Sequence, residues 1–256
     1  MLLVIDTGNT NTVFAVFDGD SIAGQWRMAT DARRTADEYG VWLLQIMAHE
    51  NINPKNIQAA IMSSVVPQAN FALRMLTRNY FSTELLIVGE PDVTLGIGVK
   101  IDRPRDVGAD RLVNAIAAWH KKKQSLIIVD FGTATTFDVV DTNGDYIGGI
   151  IAPGINLSLE ALHRAAAKLP NIAVEPPPRI IGKDTISAMQ SGIYFGYVGL
   201  IEGIVKRIME EYGSTMQVIA TGGLAPLFAK ATPVINTLEP NLIIDGLKLI
   251  YEKNKK

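Results

Sequence analysis

Two stretches of the chain share one pattern of apolar and polar positions. Residues 2–16 read LLVIDTGNTNTVFAV and residues 126–140 read LIIVDFGTATTFDVV. In each, four aliphatic residues run into an aspartate, the chain turns through glycine and small hydroxyl or amide residues, and a second apolar run follows. That pattern predicts strand, turn, strand. Sliding one copy onto the other without a gap pairs Asp6 with Asp130, Gly8 with Gly132 and Thr12 with Thr136. A repeat at that separation predicts two similar domains, 1–118 and 119–256.

The remaining pattern fills in both halves. After the first hairpin, Asp18-Gly19-Asp20 predicts a turn and 21–28 a third strand, making an antiparallel meander. Thr35-Ala36-Asp37-Glu38 has the form of a capping box, and Tyr39, Leu43, Ile46 and Met47 make the apolar stripe of the helix it opens. A strand near 57–63, a helix over 67–80 with Pro67 in its first turn, and a strand at 85–88 come next. A meander followed by alternating helices and strands suits a mixed sheet covered by helices. Residues 89–107, rich in glycine, proline and charge, predict a loop. Gly108-Ala109-Asp110-Arg111 ends it and leads into a helix with Leu112, Ile116 and Trp119 on one side. That helix closes in Lys121-Lys122-Lys123, where cations suit a helix C-terminus.

The second half repeats the plan, with strands at 126–131 and 135–140, a turn at Asn143-Gly144, a third strand over 146–152, and a helix from Pro153-Gly154 to Lys168. Pro176-Pro177-Pro178 predicts a stiff connection. Gly182-Lys183-Asp184-Thr185 opens a long helix ending near Glu211. Gly192, Gly196, Gly199 and Gly203 fall on one face of it, although each glycine costs a helix about 1 kcal/mol. Such a face predicts a close approach, either to the domain's own sheet or to a second subunit. A strand at 218–220 enters Thr221-Gly222-Gly223, and a final strand and helix at 241–251 finish the chain.

Composition narrows the function classes. A chain of 256 residues, 48% hydrophobic and 20% charged, can bury one large core or two smaller ones. A formal net charge of −2 argues against a general nucleic-acid binder. The absence of cysteine excludes disulfides, thiolate catalysis and cysteine-ligated metals, and fits a reducing compartment. The start MLLVID has no basic region and reaches an aspartate at position 6, so we expect neither a signal peptide nor a membrane span, and a cytoplasmic protein. No Gly-Lys-Ser/Thr loop occurs, Gly96-x-Gly98 lacks the rest of a dinucleotide fingerprint, and His49, His120 and His163 show no metal spacing.

What remains is carboxylates and Thr/Asn/Gly turns. A carboxylate ending an apolar strand, followed by a glycine that lets backbone approach a ligand, points to an anion-and-metal site. The plainer reading of either turn alone is an ordinary hairpin, its Gly and Asn chosen for positive φ. For Asp110 the plainer reading is a helix cap or first-turn residue. Phosphoryl transfer suits the set: backbone N–H and hydroxyl groups hold phosphate oxygens, carboxylates hold cations, and one aspartate accepts a proton. A nuclease of RNase H type would need a carboxylate cluster on the first sheet, and only Asp6 fits.

The repeated Asp-x-Gly-[Asn/Thr]-x-[Asn/Thr]-Thr resembles the phosphate-binding hairpins of the actin and sugar-kinase superfamily. A more specific resemblance rests on five elements in order: Asp6-Thr7-Gly8-Asn9-Thr10, Val107-Gly108-Ala109-Asp110-Arg111, Asp130 to Thr136, Gly148-Gly149-x-Ile151-x-Pro153-Gly154, and Gly182-Lys183-Asp184-Thr185 with Gln190-Ser191-Gly192. Together they resemble type III pantothenate kinase across essentially the whole chain. The Gly-Ala-Asp-Arg element discriminates, because actin-like chaperones and sugar kinases lack it. The resemblance implies an α/β fold of two tandem RNase H-like, actin-like ATPase domains, each a mixed sheet flanked by helices, with a cleft between them. It implies a homodimer and ATP-dependent phosphorylation of pantothenate, the first step of coenzyme A synthesis, with Mg²⁺ and a monovalent cation, K⁺ or NH₄⁺. By position it implies that Asp6, Thr7, Gly8, Asn9, Thr10, Asn11, Thr12 and Val13 bind ATP phosphates, with Asp6 near Mg²⁺, and that Thr133 contacts ATP. Gly108, Ala109, Asp110 and Arg111 would hold pantothenate, Asp110 accepting the proton and Arg111 pairing with the polar end. Thr185 would contact substrate and Asp130 the monovalent cation. Ile101 stands where the family often has Tyr, which predicts a missing hydroxyl contact that bears on affinity more than chemistry. The competing reading is a nucleotide-dependent regulatory or accessory protein of the same fold, for which Asp6, Asp130 and Asp110 would have no proton-transfer use.

Overall fold

The structure is a computed structural model that describes residues 1–165 and 169–255. It divides into two compact units. The first takes Met1–Gly98, Asp102–Ala117 and the stretch from Asn241 onward; the second takes Val99–Ile101 and Ala118–Pro240.

The first unit holds β1 (Leu2–Thr7), β2 (Asn11–Asp18), β3 (Ser21–Ala29), α1 (Ala36–His49), β4 (Ala59–Ser64), α2 (Pro67–Phe81), β5 (Leu85–Ile87) and the start of α3 (Ala109–Lys122). Its sheet runs β3-β2-β1-β4-β5, with the first three antiparallel and β4 and β5 parallel to β1. Side chains alternate along a strand, so a strand covered on both faces reads as a continuous apolar run. Leu3, Ile5, Phe14 and Val16 pack under Tyr39, Leu43 and Met47 of α1 and Leu73 and Leu76 of α2. Leu2, Val4 and Ala15 pack on the other face with Val113 and Ile116 of α3. The capping box at α1 forms as its sequence predicts: Glu38 N donates to the Thr35 hydroxyl at 3.3 Å and Thr35 N to the Glu38 carboxylate at 2.8 Å.

The second unit follows with β6 (Leu126–Phe131), β7 (Ala134–Val140), β8 (Tyr146–Pro153), α4 (Ile155–Ala165), α5 (Thr185–Tyr212), β9 (Gln217–Gly222), α6 (Ala225–Ala229) and β10 (Thr237–Leu238). Its order, β10-β9-β6-β7-β8, is the first sheet's order with β9 and β10 in the places of β4 and β5. Tyr194, Tyr197, Ile201, Val205 and Ile208 of α5 lie on Ile127, Val129, Phe137, Val139 and Val218. The predicted extension of α4 through 166–168 lies outside the described residues.

Three expectations change. The final helix, α7 (Leu242–Asn254), was expected in the second domain but belongs to the first unit. Its Ile244, Leu247 and Ile250 complete the layer over Leu2 and Val4 beside α3. Gly246 makes that approach possible, since a Cβ there would lie 2.5 Å from the carbonyl oxygen of Val113. The last strand is β10, earlier than expected, because Asn236 and Glu239 hydrogen-bond to the β9 backbone and 241 onward is helical. The gapless repeat also slips. Thr7 faces Thr12 across the first hairpin, whereas Phe131 faces Thr135 across the second. The second turn is one residue shorter, so the structural counterpart of Thr12 is Thr135, not Thr136. Burial enforces the slip, because a one-residue shift exchanges the two faces of a strand. Phe14 and Phe137 both belong in a core, and the gapless frame would have put Asp138 where Phe14 stands.

Candidate active site

The first turn grows out of the end of β1. Its N–H of Gly8 bonds the carbonyl of Asn11 at 3.0 Å, and Asn9, Thr10 and Asn11 are exposed. Thr7, Thr12 and Val13 are buried, so they support the turn from beneath while Asn9, Thr10 and Asn11 face solvent and Asp6 is half-buried. A brace just beyond β3 holds the turn. The Thr30 hydroxyl donates to the Gly8 carbonyl at 2.7 Å and lies 2.9 Å from the Thr12 hydroxyl, and Thr30 N donates to the Thr10 carbonyl at 3.0 Å. No local sequence signal marks Thr30, because its partners are more than a dozen residues away.

Asp6 stands opposite Ser63 of β4 and, by alternation, on the face of Leu2 and Val4, which α3 covers. The Gly-Ala-Asp-Arg element forms the first turn of that same helix. Gly108 accepts the opening hydrogen bonds from Arg111 N and Leu112 N. A Cβ on Gly108 would lie 2.5 Å from the Asp110 carboxylate and 3.6 Å from Val65, just past β4. Glycine therefore lets the carboxylate fold back over the chain at the end of the sheet where β1 delivers Asp6. Burial raises the Asp110 carboxyl above the 3.8 of a free aspartate, partly offset by the Arg111 N–H, which donates to it at 2.8 Å, and by the Arg111 charge. The structure thus brings Asp6, the first turn and Gly108 to Arg111 together in one unit.

The second unit carries the other predicted residues. Thr133 is exposed at the tip of the second turn, which Gly132 N closes on the Ala134 carbonyl at 3.1 Å. Gly154 backs this turn so closely that a Cβ would lie 2.2 Å from the Thr133 carbonyl oxygen. Asp130, next to last in β6, lies opposite Thr221 of β9. The next residue, Gly222, has φ +91°, and a Cβ on it would lie 2.5 Å from the Asp130 carboxylate. Glycine leaves room around that carboxylate, a feature that the Thr221-Gly222-Gly223 sequence signalled only as a turn. Thr185 is the exposed first residue of α5, and Asp184 caps that helix through Ser187 N at 2.9 Å. Ser187 hydrogen bonds lower the Asp184 carboxyl, so it stays ionised at the helix N-terminus. Segment Val99–Ile101, including the Ile101 departure, is tied to β8 by Lys100 N on the Tyr146 carbonyl at 2.8 Å.

Buried Asp138 was not foreseen. It occupies in the second sheet the place that Ala15 has in the first, and accepts the Tyr146 hydroxyl at 2.9 Å and the Thr136 hydroxyl at 3.0 Å.

This chemistry has relatives. A family model for type III pantothenate kinase matches residues 2–207. A type III pantothenate kinase of Rhodospirillum rubrum is 62% identical over 255 residues, covering 100% of this chain and 99% of its own. Among solved structures, a 2-dehydro-3-deoxygalactonokinase of Sinorhizobium meliloti superposes with a TM-score of 0.64 at 13% identity, over 99% of each chain. A Baf family transcriptional activator of Campylobacter jejuni superposes with a TM-score of 0.59 at 19% identity, over 98% of each. At those identities the two structures show the shared actin-like ATPase and sugar-kinase fold alone. The repeated hairpins, the Gly-Ala-Asp-Arg turn and the close sequence relative agree, and the chain belongs to the type III pantothenate kinase family.

Proposed function

We propose that this kinase transfers the γ-phosphoryl group of ATP to the primary hydroxyl of pantothenate, with Asp110 as proton acceptor. The observation that carries this reading is the position of Asp110: half-buried over Gly108, at the sheet end and face shared with Asp6 and a braced phosphate turn. The alcohol oxygen forms a bond to the γ-phosphorus, the bond to the β-phosphate oxygen breaks, ADP leaves, and the alcohol proton passes to the Asp110 carboxylate. Burial makes that carboxylate a stronger base than a free aspartate. Gly108, Ala109 and Arg111 hold the substrate beside it, with Arg111 on its polar end, and Thr185 makes a further substrate contact. The two turns, Asp6 to Val13 and Thr133, take the phosphates of ATP through backbone N–H and exposed hydroxyl groups.

Two cations fit these residues. Mg²⁺ keeps several waters and needs only one or two carboxylates besides the phosphates. Asp6 meets that need, and among the described residues no group of three His, Asp or Glu could cage the ion instead. For K⁺ or NH₄⁺, the support is the space that Gly222 leaves at the Asp130 carboxylate. A bound cation there offsets repulsion between this carboxylate and polyphosphate.

A homodimer is part of the proposal. Gly192, Gly196 and Gly199 lie on the exposed side of α5, and a Cβ on any of them would meet nothing within 4 Å. Their own sheet is therefore not what these glycines accommodate, which supports a second α5 as the close neighbour. The same unit exposes Ile151, Ile180 and Ile181. The reaction opens coenzyme A synthesis, and its need for ATP and K⁺ supports a cytoplasmic enzyme. Among the described residues no helix is long and apolar enough to cross a membrane.

The test is a coupled assay of ADP release with ATP, pantothenate, Mg²⁺ and K⁺. Turnover that requires pantothenate supports the kinase; a folded protein that binds ATP without turnover would favour a regulator.

A further inference from the structure

We propose that Tyr197 is a positioning residue that holds the second hairpin turn in its nucleotide-binding shape. The inference rests on the reading of that turn as an ATP contact.

Tyr197 lies midway along α5 on the buried side of the helix. Its ring packs against Phe131 and Phe228, with centroids 6.4 and 5.1 Å away. A phenylalanine would fill that space, so packing does not explain the hydroxyl, which needs a partner once buried. It has two. The phenol shares a hydrogen bond with the Thr135 hydroxyl and reaches the Pro153 carbonyl at 3.5 Å. Thr135 is wholly buried and is the first residue of β7 to pair with β6 after the turn, opposite Phe131. Pro153 precedes Gly154, which lies so close behind the turn that a Cβ on it would clash with the carbonyl oxygens of Gly132 and Thr133. One hydroxyl therefore touches both the strand leaving the turn and the segment backing it.

The first hairpin supports the same conclusion independently. Thr12 is the counterpart of Thr135, and its hydroxyl also meets a brace, Thr30, that reaches the turn backbone. Each hairpin has a buried threonine directly after its turn whose hydroxyl bonds to a hydroxyl from a neighbouring element. The segment leaving β3 supplies that hydroxyl in the first unit and a helix in the second.

The experiment compares Tyr197→Phe, Thr135→Val, the double variant and Thr133→Ala in steady-state kinetics on the full-length protein. Loss of one neutral hydrogen bond is worth about 0.5–1.5 kcal/mol, so Tyr197→Phe should raise the KM for ATP roughly three- to tenfold. The KM for pantothenate and kcat should change less than about twofold. A purely structural role would lower the active fraction, reducing kcat at unchanged KM, and that result overturns the proposal. Thr135→Val removes only the bond between the two hydroxyls and should raise the KM for ATP by no more than Tyr197→Phe does. The double variant should be no worse than Tyr197→Phe alone; additive effects would also overturn it. Thr133→Ala separates the two readings. An unchanged KM for ATP there removes the nucleotide assignment itself. A raised KM in Thr133→Ala beside an unchanged one in Tyr197→Phe removes the coupling alone.

Discussion

Thr12 and Thr30 meet hydroxyl to hydroxyl at 2.9 Å, and Thr30 gives its single proton to the Gly8 carbonyl at 2.7 Å. Thr12 is therefore the donor of the pair, since one hydroxyl carries one proton. The chain of two bonds ties Gly8 and Thr12, on the two sides of the first turn, to Thr30 just beyond β3. Thr30→Val keeps the shape and removes both bonds, leaving a buried donor on Thr12. We expect a loss of about 1–3 kcal/mol in urea unfolding and a raised KM for ATP, with Thr30→Ser close to wild type. Wild-type stability and KM in Thr30→Val would show that the brace has no such role.

For Asp110, the sign of the pH effect follows from the raised carboxyl. The folded protein holds this proton to higher pH than the unfolded chain does, so the associated stability is complete below the unfolded pKa and declines as pH rises through the folded one. Activity runs the other way, because the base must be ionised. The acidic limb of kcat/KM should lie above the 3.8 of a free aspartate and vanish in Asp110→Asn. That variant should lose about 10²–10⁴-fold in kcat while unfolding in urea at neutral pH no more easily than wild type. If it keeps full turnover, Asp110 is only a first-turn residue.

The Asp130 carboxylate and Gly222 should act as one cation site. Asp130→Asn is expected to abolish the preference for K⁺ over Na⁺, and full activity of this variant in Na⁺ buffer contradicts the assignment. Gly222→Ala should raise the K⁺ concentration for half-maximal rate, because its Cβ would lie 2.5 Å from that carboxylate at a φ of +91°.

Two sets of glycines should respond oppositely to added volume. Gly196→Leu and Gly199→Leu project into open space on the isolated chain, so circular dichroism should stay native while sedimentation shows monomer. Gly246→Ala instead meets the Val113 backbone at 2.5 Å and should destabilise the first unit by about 1–3 kcal/mol. An intact dimer in both leucine variants would place the interface elsewhere.

The local part of this fold is readable along the chain. The Thr35–Glu38 capping box, Pro67 opening α2 and the apolar runs ending at Asp6 and Asp130 act over a few residues, so the residues that specify these elements lie within them. The Gly-Ala-Asp-Arg element likewise identified its helix turn and, with the hairpins, the family. Long-range relationships were decided by burial. Period alone shows that α7 has an apolar stripe but not which sheet it covers; the uncovered Leu2 and Val4 face settles that. The gapless repeat hid a shortened second turn, because equal spacing in sequence says nothing about which face a strand must bury, and Phe137 had to face the core as Phe14 does. The direction of the α5 glycines depended on Tyr194, Tyr197 and Ile201, on the other side of the helix, packing against the sheet. Thr30 and Tyr197 carry no local signature at all: each became a brace only when folding placed its hydroxyl beside a turn where a buried threonine needed a partner.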